Sequence, residues 1–383
     1  MAGQEHTVWR KASVIALASS FRAHAFVYPS TPVPFPRSDL GQFAARALAR
    51  SWRRTVPPTP LKPEEISAIT PLAISAGSAA LLWRAINETD SSDAENLRAV
   101  YRYNAINAGV HEIHIADIFE RMGANGVEPI LFKGWGLARL YPDAGFRPYG
   151  DLDLWIRGQE LEAAKKALPA GEHLYCVELH TSFYDQYERS FDQVMSCSQL
   201  VRLHDVDVRI PCAEDHLRFI CMHFLFHGGW RPLWLCDVAL MIESRAPDFD
   251  WDRCLSGKRK YADWIACVIG LAHQLIGADI AGIPVTRRAH NLPRWLAPAI
   301  LRQWGEEMGM SFAEEVSFSI KRDLGRPLAL PKHIKSHWRN PVQASVEMDA
   351  WLDDRWRMPL QAAAGLGRLS AIARRSAANI LKS

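Results

Sequence analysis

The segment "LFKGWGLARLYPDAGFRPYGDLDLWI", residues 131–156, constrains the fold most strongly, because two short apolar runs flank a turn-forming stretch. The first run ends in Lys133 and Gly134, and the second begins with Asp151 and Asp153. Short apolar runs bounded by glycine and proline are typical of buried strands. We therefore expect strand, glycine turn, short helix, loop and strand in that order.

Helical patterns lie on both sides of this segment. Between about 94 and 122, apolar residues recur at helical spacing, and "EDHLRFICMHFLFHGG" predicts a second clear helix. After the central segment, "EHLYCVELH" and "VDVRIP" are further strand candidates. The sequence thus predicts an α+β fold in which a small mixed sheet is flanked by N-terminal and C-terminal helices.

The same changes of pattern suggest five segments. They are an irregular N-terminal lead-in at 1–62, a helical segment at 63–127, an α/β core at 128–215, a helical region at 216–333 and a basic helical tail at 334–383. Proline-rich stretches interrupt the lead-in, and Pro71 is expected to break or kink the helix around it.

Composition narrows the classes of partner. With 45 basic and 42 acidic residues, the net charge of +3 gives no bulk electrostatic case for nucleic acid. The apolar stretch "WIACVIGLAHQLIG" is shorter than the roughly 20 residues that span a bilayer, so it predicts a buried helix. The seven cysteines lack a CxxC pair, which argues against a disulfide framework or a structural zinc site. We expect a cytoplasmic protein without a membrane span.

The two aspartates are the main candidates for chemistry. Alternate residues of a strand share a face, so Asp151 and Asp153 should be neighbours whose repulsion a cation would offset. Mg²⁺ favours such oxygen-rich sites and also binds substrate phosphates. Gly134, directly after a strand, would let backbone amides approach a phosphate, and Lys133 adds positive charge. An isolated pair of this kind would instead be read as strand-capping surface carboxylates.

These residues together resemble the polymerase-beta-like nucleotidyltransferase superfamily. Over about residues 95–245 the chain is more closely similar to an uncharacterised bacterial nucleotidyltransferase-like family with the pattern KG…R…DLDL. The resemblance implies Mg²⁺-dependent transfer of a nucleoside monophosphate from a nucleoside triphosphate to an acceptor hydroxyl. It also implies that Asp151 and Asp153 bind the metal and that Gly134 belongs to the turn at the nucleotide phosphates.

A third metal-binding carboxylate is expected from the same resemblance. Glu178 in "VELH" is the preferred candidate for this catalytic role, and Asp207 in "VDVRIP" is the alternative. His180 shares a strand face with Glu178, so it either assists the site or forms a nearby hydrogen bond. Lys133 and Arg147 are the candidate cations for the nucleotide phosphates, although Arg147 can also be read as an exposed loop arginine.

Trp135 departs from the superfamily pattern, which usually has serine or glycine after the turn glycine. Its ring either stacks on a base or sugar or packs against the next element. The nucleotide, the acceptor and the catalytic state are left open by the sequence. The acceptor can be a small molecule, a peptide or a protein, and the alternative to an active transferase is a catalytically degenerate nucleotide-binding or protein-interaction module.

Three histidines follow the strands. His216, His223 and His227 fall within a narrow sector of one helix, and the last two have a spacing used for zinc. The sequence between them, however, lacks the glutamate of a metalloprotease. The histidines are therefore either buried and hydrogen-bonded or part of the nucleotide cleft. Asp237 interrupts an apolar helix and should contact a base, a histidine or a helix terminus. Arg231 is either its partner or a loop cation.

Overall fold

The computed structural model describes residues 35–56, 58–59, 61–86, 91–168, 176–183, 187–306 and 339–368. Within these ranges helices predominate, and five strands form one sheet of three strands and one of two. The predicted α+β class, a small mixed sheet flanked by helices, is confirmed. The boundaries of the five predicted segments stay a prediction.

The helices described before the first strand are α1 (Arg37–Leu48), α2 (Pro63–Ser75), α3 (Ala79–Ile86) and α4 (Ser92–Ala124). The predicted lead-in therefore contains a regular helix, α1. Helix α2 runs on through Pro71, so the expected break is wrong. Helix α4 begins where the Ser91 side chain accepts a hydrogen bond from the amide of Ala94, an N-cap that satisfies one free donor.

The central sheet contains β1 (Ile130–Phe132), β2 (Leu152–Trp155) and β3 (Val177–His180), in the order β1-β2-β3. Strand β2 is antiparallel to β1 and parallel to β3. All residues of β1 and β2 are buried, which explains why their sequences are nearly continuous apolar runs. Helix α5 (Gly134–Ala138) and a short 3-10 turn (Ala144–Phe146) connect β1 to β2.

The second sheet is an antiparallel hairpin of β4 (Gln199–Leu203) and β5 (Val206–Ile210). Strand β4 was not predicted, because its sequence "QLVRL" is short and mostly exposed. Asp207 lies on β5, where it is exposed and forms a 3.2 Å ion pair with Arg202. It therefore belongs to a different sheet from Asp153. Along the chain, α6 (Leu161–Ala167) lies between β2 and β3, and α7 (Phe191–Met195) lies between β3 and β4.

The helices described after the hairpin are α8 (Ala213–Phe226), α9 (Pro232–Glu243), α10 (Trp251–Leu255), α11 (Arg259–Ile276), α12 (Thr286–His290), α13 (Leu296–Trp304) and α14 (Pro341–Glu347). Helix α11 contains the apolar stretch "WIACVIGLAHQLIG" and is largely buried, as predicted. No helix in the described part of the chain combines the length and apolar character needed to cross a membrane. Of the predicted basic helical tail at 334–383, residues 334–338 and 369–383 lie outside the described residues.

The largest core cluster joins helices of both flanking regions to one side of the central sheet, with Trp52, Phe132 and Trp264 among its members. A second cluster joins α4 to the central sheet and the hairpin, and it includes Ile118 and Leu154. Aliphatic and aromatic side chains of this kind each contribute about 1.5–3 kcal/mol when fully buried. The sheet is therefore held between two apolar layers.

One cysteine pair departs from the expectation that no disulfide is present. Cys197, just after α7, and Cys212, just before α8, form a disulfide with 5.7 Å between their Cα atoms. The other five cysteines are free thiols. The two partners are 15 residues apart and lack a recognisable motif, so only the folded hairpin between them brings their side chains together.

Candidate functional site

The turn after β1 has an unusual backbone. Lys133 adopts φ 53° and ψ −135°, and Gly134 adopts φ 36°, both in regions that favour glycine. A Cβ built on Gly134 would lie 3.5 Å from the carbonyl oxygen of Asp151 and 3.5 Å from the ring of Tyr149, which is ordinary contact. Backbone conformation, rather than crowding, therefore favours glycine at this position.

Asp153 is the centre of the charged cluster, and only 2% of its surface is exposed. Its Oδ2 lies 3.0 Å from Nζ of Lys133, and its Oδ1 lies 3.0 Å from Nε2 of His180. Burial by itself raises the pKa of Asp153, but the hydrogen bond to His180 and the charge of Lys133 outweigh that effect and lower it. Asp153 is consequently a carboxylate at neutral pH.

Glu178 and His180 are brought to Asp153 by the parallel pairing of β2 with β3. In that register Asp153 faces Glu178, and Trp155 faces His180. Nε2 of His180 lies 3.7 Å from Oε2 of Glu178, and the ligand atoms of Asp153, Glu178 and His180 all lie within 4.8 Å of one another. The Glu178 side chain is 59% exposed, so the cluster is open to solvent on that side.

Asp151 lies outside this group. It precedes β2, which begins at Leu152, and its side chain is exposed. The alternation that would place Asp151 and Asp153 on one face applies within a strand, and here the strand starts one residue later. The charge of Asp151 nevertheless acts on the pKa of both Arg147 and Arg231, although burial is the largest influence on each. Asp151 is therefore at the rim, on the side of these arginines.

Arg147 is neither an exposed loop arginine nor a free cation. It is buried, and its guanidinium forms a two-point ion pair with Asp237 of α9. Burial lowers the pKa of Arg147, but the charge of Asp237 outweighs it and raises the value. Tyr141 donates a further hydrogen bond of 2.9 Å to Asp237. Of the contacts left open for Asp237, the structure shows a basic partner, Arg147, and Arg231 is not within ion-pair distance.

Two of the three histidines lie together. The rings of His223 and His227 have centroids 4.4 Å apart, and both pack against Trp234. Burial lowers the pKa of His227 to about 4 and that of His223 well below its usual range, and in each case the positive charge of Lys133 adds to the effect. Both histidines are therefore neutral at pH 7 and lie close enough to Lys133 to respond to its charge.

His216 lies apart from this pair, in van der Waals contact with the turn helix α5. A Cβ built on Gly136 would lie 3.2 Å from Cε1 of His216. Nε2 of His216 is buried without a hydrogen-bond partner in the described chain, and burial lowers its pKa to about 3. It is a neutral packing residue beneath the turn.

Arg231 is the cation left available near the site. Its Nε donates to the carbonyl of Ala76 at 2.8 Å, and its guanidinium lies over the ring of Trp234. Among the described residues no carboxylate lies within 4.0 Å of it. Burial lowers the pKa of Arg231 to about 10, which still leaves it charged at pH 7. The Arg231 guanidinium would therefore be available to an anion bound beside Asp151 and Lys133.

Trp135 packs inward. It is buried in the second core cluster, and its indole nitrogen donates to Oε1 of Glu112 at 3.2 Å. Of the two alternatives from the sequence, packing against the next element is the arrangement found. Neither Glu112 nor Tyr141 was singled out from the sequence, since single polar residues in helical segments give no signal of their distant partners.

Comparison with known families now adds to this geometry. A family model described as an uncharacterised nucleotidyltransferase matches residues 62–172 and 170–276, more than half of the chain. The matched region contains the turn at Gly134, the cluster around Asp153 and helices α8 and α9. The chain belongs to this nucleotidyltransferase family. No curated protein and no solved structure matches it significantly.

Membership of the nucleotidyltransferase family supports nucleotidyl transfer as the chemistry and a nucleotide as the class of substrate. Such enzymes generally use divalent metal ions, and the donor set of Asp153, Glu178 and His180 fits one. Oδ2 of Asp153 is buried and is paired with the Lys133 ammonium at 3.0 Å, so this carboxylate already binds a positive charge. A divalent cation at the cluster would compete with Lys133 for that oxygen.

Proposed function

We propose that the protein is a divalent-cation-dependent nucleotidyltransferase of the polymerase-beta-like superfamily, with Mg²⁺ as the ion expected from the sequence. It would transfer a nucleoside monophosphate from a nucleoside triphosphate to an acceptor hydroxyl in the cytoplasm. The observation that carries the proposal is the juxtaposition of a charged, buried Asp153 with Glu178 across paired strands, directly beside the glycine turn.

The roles of the individual residues follow from their positions. Asp153 and Glu178 would hold the ion, and Asp151 at the rim would add an oxygen once a triphosphate is present. Lys133 and the backbone at Gly134 would contact the phosphates, because both lie at the end of β1 next to Asp153. Arg231 would neutralise the remaining phosphate charge, whereas Arg147 would position the loop through Asp237.

The reaction follows the usual balance of a nucleotidyl transfer. The acceptor oxygen bonds to the α-phosphorus, the bond from that phosphorus to the bridging oxygen breaks, and pyrophosphate leaves. The hydroxyl proton passes to solvent on the exposed side of Glu178. A bound divalent ion supplies charge stabilisation to the phosphoryl oxygens. The acceptor is a small molecule, a peptide or a protein.

The second candidate is a degenerate nucleotide-binding or protein-interaction module. It is favoured by the position of Asp151, which is exposed and outside the metal-competent group of Asp153, Glu178 and His180. The buried pairing of Arg147 with Asp237 also removes one expected phosphate ligand. Such a module would bind a nucleotide without releasing pyrophosphate.

The test is binding of ATP, GTP, CTP and UTP with and without Mg²⁺, followed by measurement of pyrophosphate release with candidate acceptors. Asp153→Asn should abolish metal-dependent binding. Asp205→Asn, in the exposed turn between β4 and β5, is the matched control and should bind normally. Equal binding by Asp153→Asn and the native chain would refute the proposed site, and binding without any pyrophosphate release would favour the degenerate module.

A further inference from the structure

His180 lies close to two carboxylates in this structure, not to Asp153 alone. Its Nε2 lies between two carboxylates, 3.0 Å from Oδ1 of Asp153 and 3.7 Å from Oε2 of Glu178. The ring packs against Phe183, with centroids 4.9 Å apart, which restricts its rotation. A histidine that only oriented one carboxylate from behind would present its nitrogen to that residue alone. Here the nitrogen faces the interior of the cluster.

The chemistry of this donor set differs from that expected for Mg²⁺. Mg²⁺ demands oxygen ligands in octahedral geometry and usually retains several waters. An imidazole nitrogen instead favours divalent ions of the first transition series, which accept mixed nitrogen and oxygen ligands. Two carboxylates and one imidazole within 4.8 Å of one another form such a mixed set.

We propose that His180 is the third protein ligand of the divalent ion and that the cluster of Asp153, Glu178 and His180 prefers a transition-metal ion such as Mn²⁺ to Mg²⁺. This inference deepens the proposed function by naming the class of ion at the same site. It also concerns binding of the ion alone, so it can be tested in the absence of nucleotide and acceptor.

Lys133 gives the inference a second consequence. Its ammonium forms a 3.0 Å ion pair with Oδ2 of Asp153. A metal ion on the same carboxylate would repel this ammonium, because two positive charges would share one anion. Lys133 would have to turn away when the ion binds, toward the space where the phosphates are proposed to lie. Removing its charge should therefore strengthen binding of the ion to the nucleotide-free protein.

The experiment is a titration of the EDTA-treated full chain with Mn²⁺. Electron paramagnetic resonance measures the free ion at each step. We expect one site per chain that a hundredfold excess of Mg²⁺ does not empty. His180→Gln should weaken Mn²⁺ binding by about 10- to 100-fold. His180→Asp, which makes the set all-oxygen, should retain an ion but lower the ratio of Mn²⁺ to Mg²⁺ affinity about tenfold. Lys133→Met should increase Mn²⁺ affinity severalfold.

The control is His204→Gln, an exposed histidine in the turn between β4 and β5, which should bind Mn²⁺ like the native chain. Circular dichroism establishes that each variant is folded before titration. Unchanged binding in His180→Gln, or displacement of Mn²⁺ by an equal concentration of Mg²⁺, would overturn the inference. So would loss of the ion in Asp151→Asn with retention in His180→Gln.

Failure of this inference and failure of the proposed function are distinguishable. Mn²⁺ binding that depends on His180, without nucleotide binding or pyrophosphate release, would uphold the metal site and refute the transferase. Pyrophosphate release with Mg²⁺ that is normal in His180→Gln would uphold the transferase and refute the histidine ligand.

Discussion

Arg147 and Asp237 form a buried ion pair across 90 residues of sequence, with Nη2 2.9 Å from Oδ2 and Nε 3.2 Å from Oδ1. Arg147 is 4% exposed and Asp237 is 1% exposed. The pair joins the loop that precedes β2 to helix α9. The position of the strand bearing Asp153 is therefore linked to the helical layer behind it.

The first prediction concerns the stability of this pair. Asp237→Leu leaves the Arg147 guanidinium buried without a counter-charge, and this should lower the free energy of unfolding by about 3–5 kcal/mol. The double variant Arg147→Met/Asp237→Leu removes both charges and should recover most of that loss. Urea denaturation of both variants checks this, and a double variant that is less stable than the single one would contradict it.

The second prediction concerns the turn at Gly134. Gly134→Ala places a Cβ at φ 36°, and this should cost about 1–2 kcal/mol and weaken nucleotide binding by shifting the turn. Gly109→Ala is the matched control, because Gly109 lies within α4 with open space around it. That substitution should stabilise the helix by about 0.5–1 kcal/mol. Thermal unfolding and nucleotide titration of both variants give the comparison.

The third prediction concerns pH. His216 has a folded pKa of about 3, whereas an unfolded histidine titrates near 6.5. As the pH falls below about 6.5, the unfolded chain takes up a proton that the folded chain does not bind. The free energy of unfolding should therefore decrease by up to about 1.4 kcal/mol per pH unit for this group. His223 and His227 act in the same direction.

The measurement is the urea midpoint between pH 7 and pH 5, a range in which Asp153 stays charged. His216→Gln removes one titrating group, so its stability should fall less steeply with decreasing pH than that of the native chain. An identical slope in the two proteins would show that His216 does not titrate as described.

The fourth prediction concerns the Cys197–Cys212 disulfide. In denaturant without reductant, a thiol reagent should count five free cysteines, and after reduction it should count seven. Because the bond closes a loop with a sequence separation of 15, its reduction should lower the free energy of unfolding by about 3 kcal/mol. Seven reactive thiols in the unreduced, unfolded protein would show that the bond is absent in solution.

The fifth prediction concerns Arg231, which has no carboxylate partner within 4.0 Å in the described ranges. Arg231→Gln should weaken binding of a nucleoside triphosphate about tenfold and binding of the monophosphate much less, because the lost charge serves the outer phosphates. Arg202→Gln is the control, because Arg202 and its partner Asp207 both lie on the β4–β5 hairpin and not on the sheet that bears Asp153. Isothermal titration with the two nucleotides decides this, and equal losses for both would contradict it.

The local elements around the site were predictable from the sequence. The apolar runs of β1 and β2, the glycine turn and the helix beginning near Asp215 were all predicted, because each depends on contacts between residues close in the chain. Strand β4 was missed because its five residues, "QLVRL", are mostly exposed and show little apolar alternation.

Which charged residues come into contact depends on the packing of the whole fold. The parallel register of β2 with β3 brought Glu178 and His180 to Asp153, and the start of β2 at Leu152 left Asp151 at the rim. Helix packing gave Arg147 a buried partner. These pairings join residues that are distant in sequence. Burial makes each pairing important for stability, because a charge buried without a counter-charge is costly.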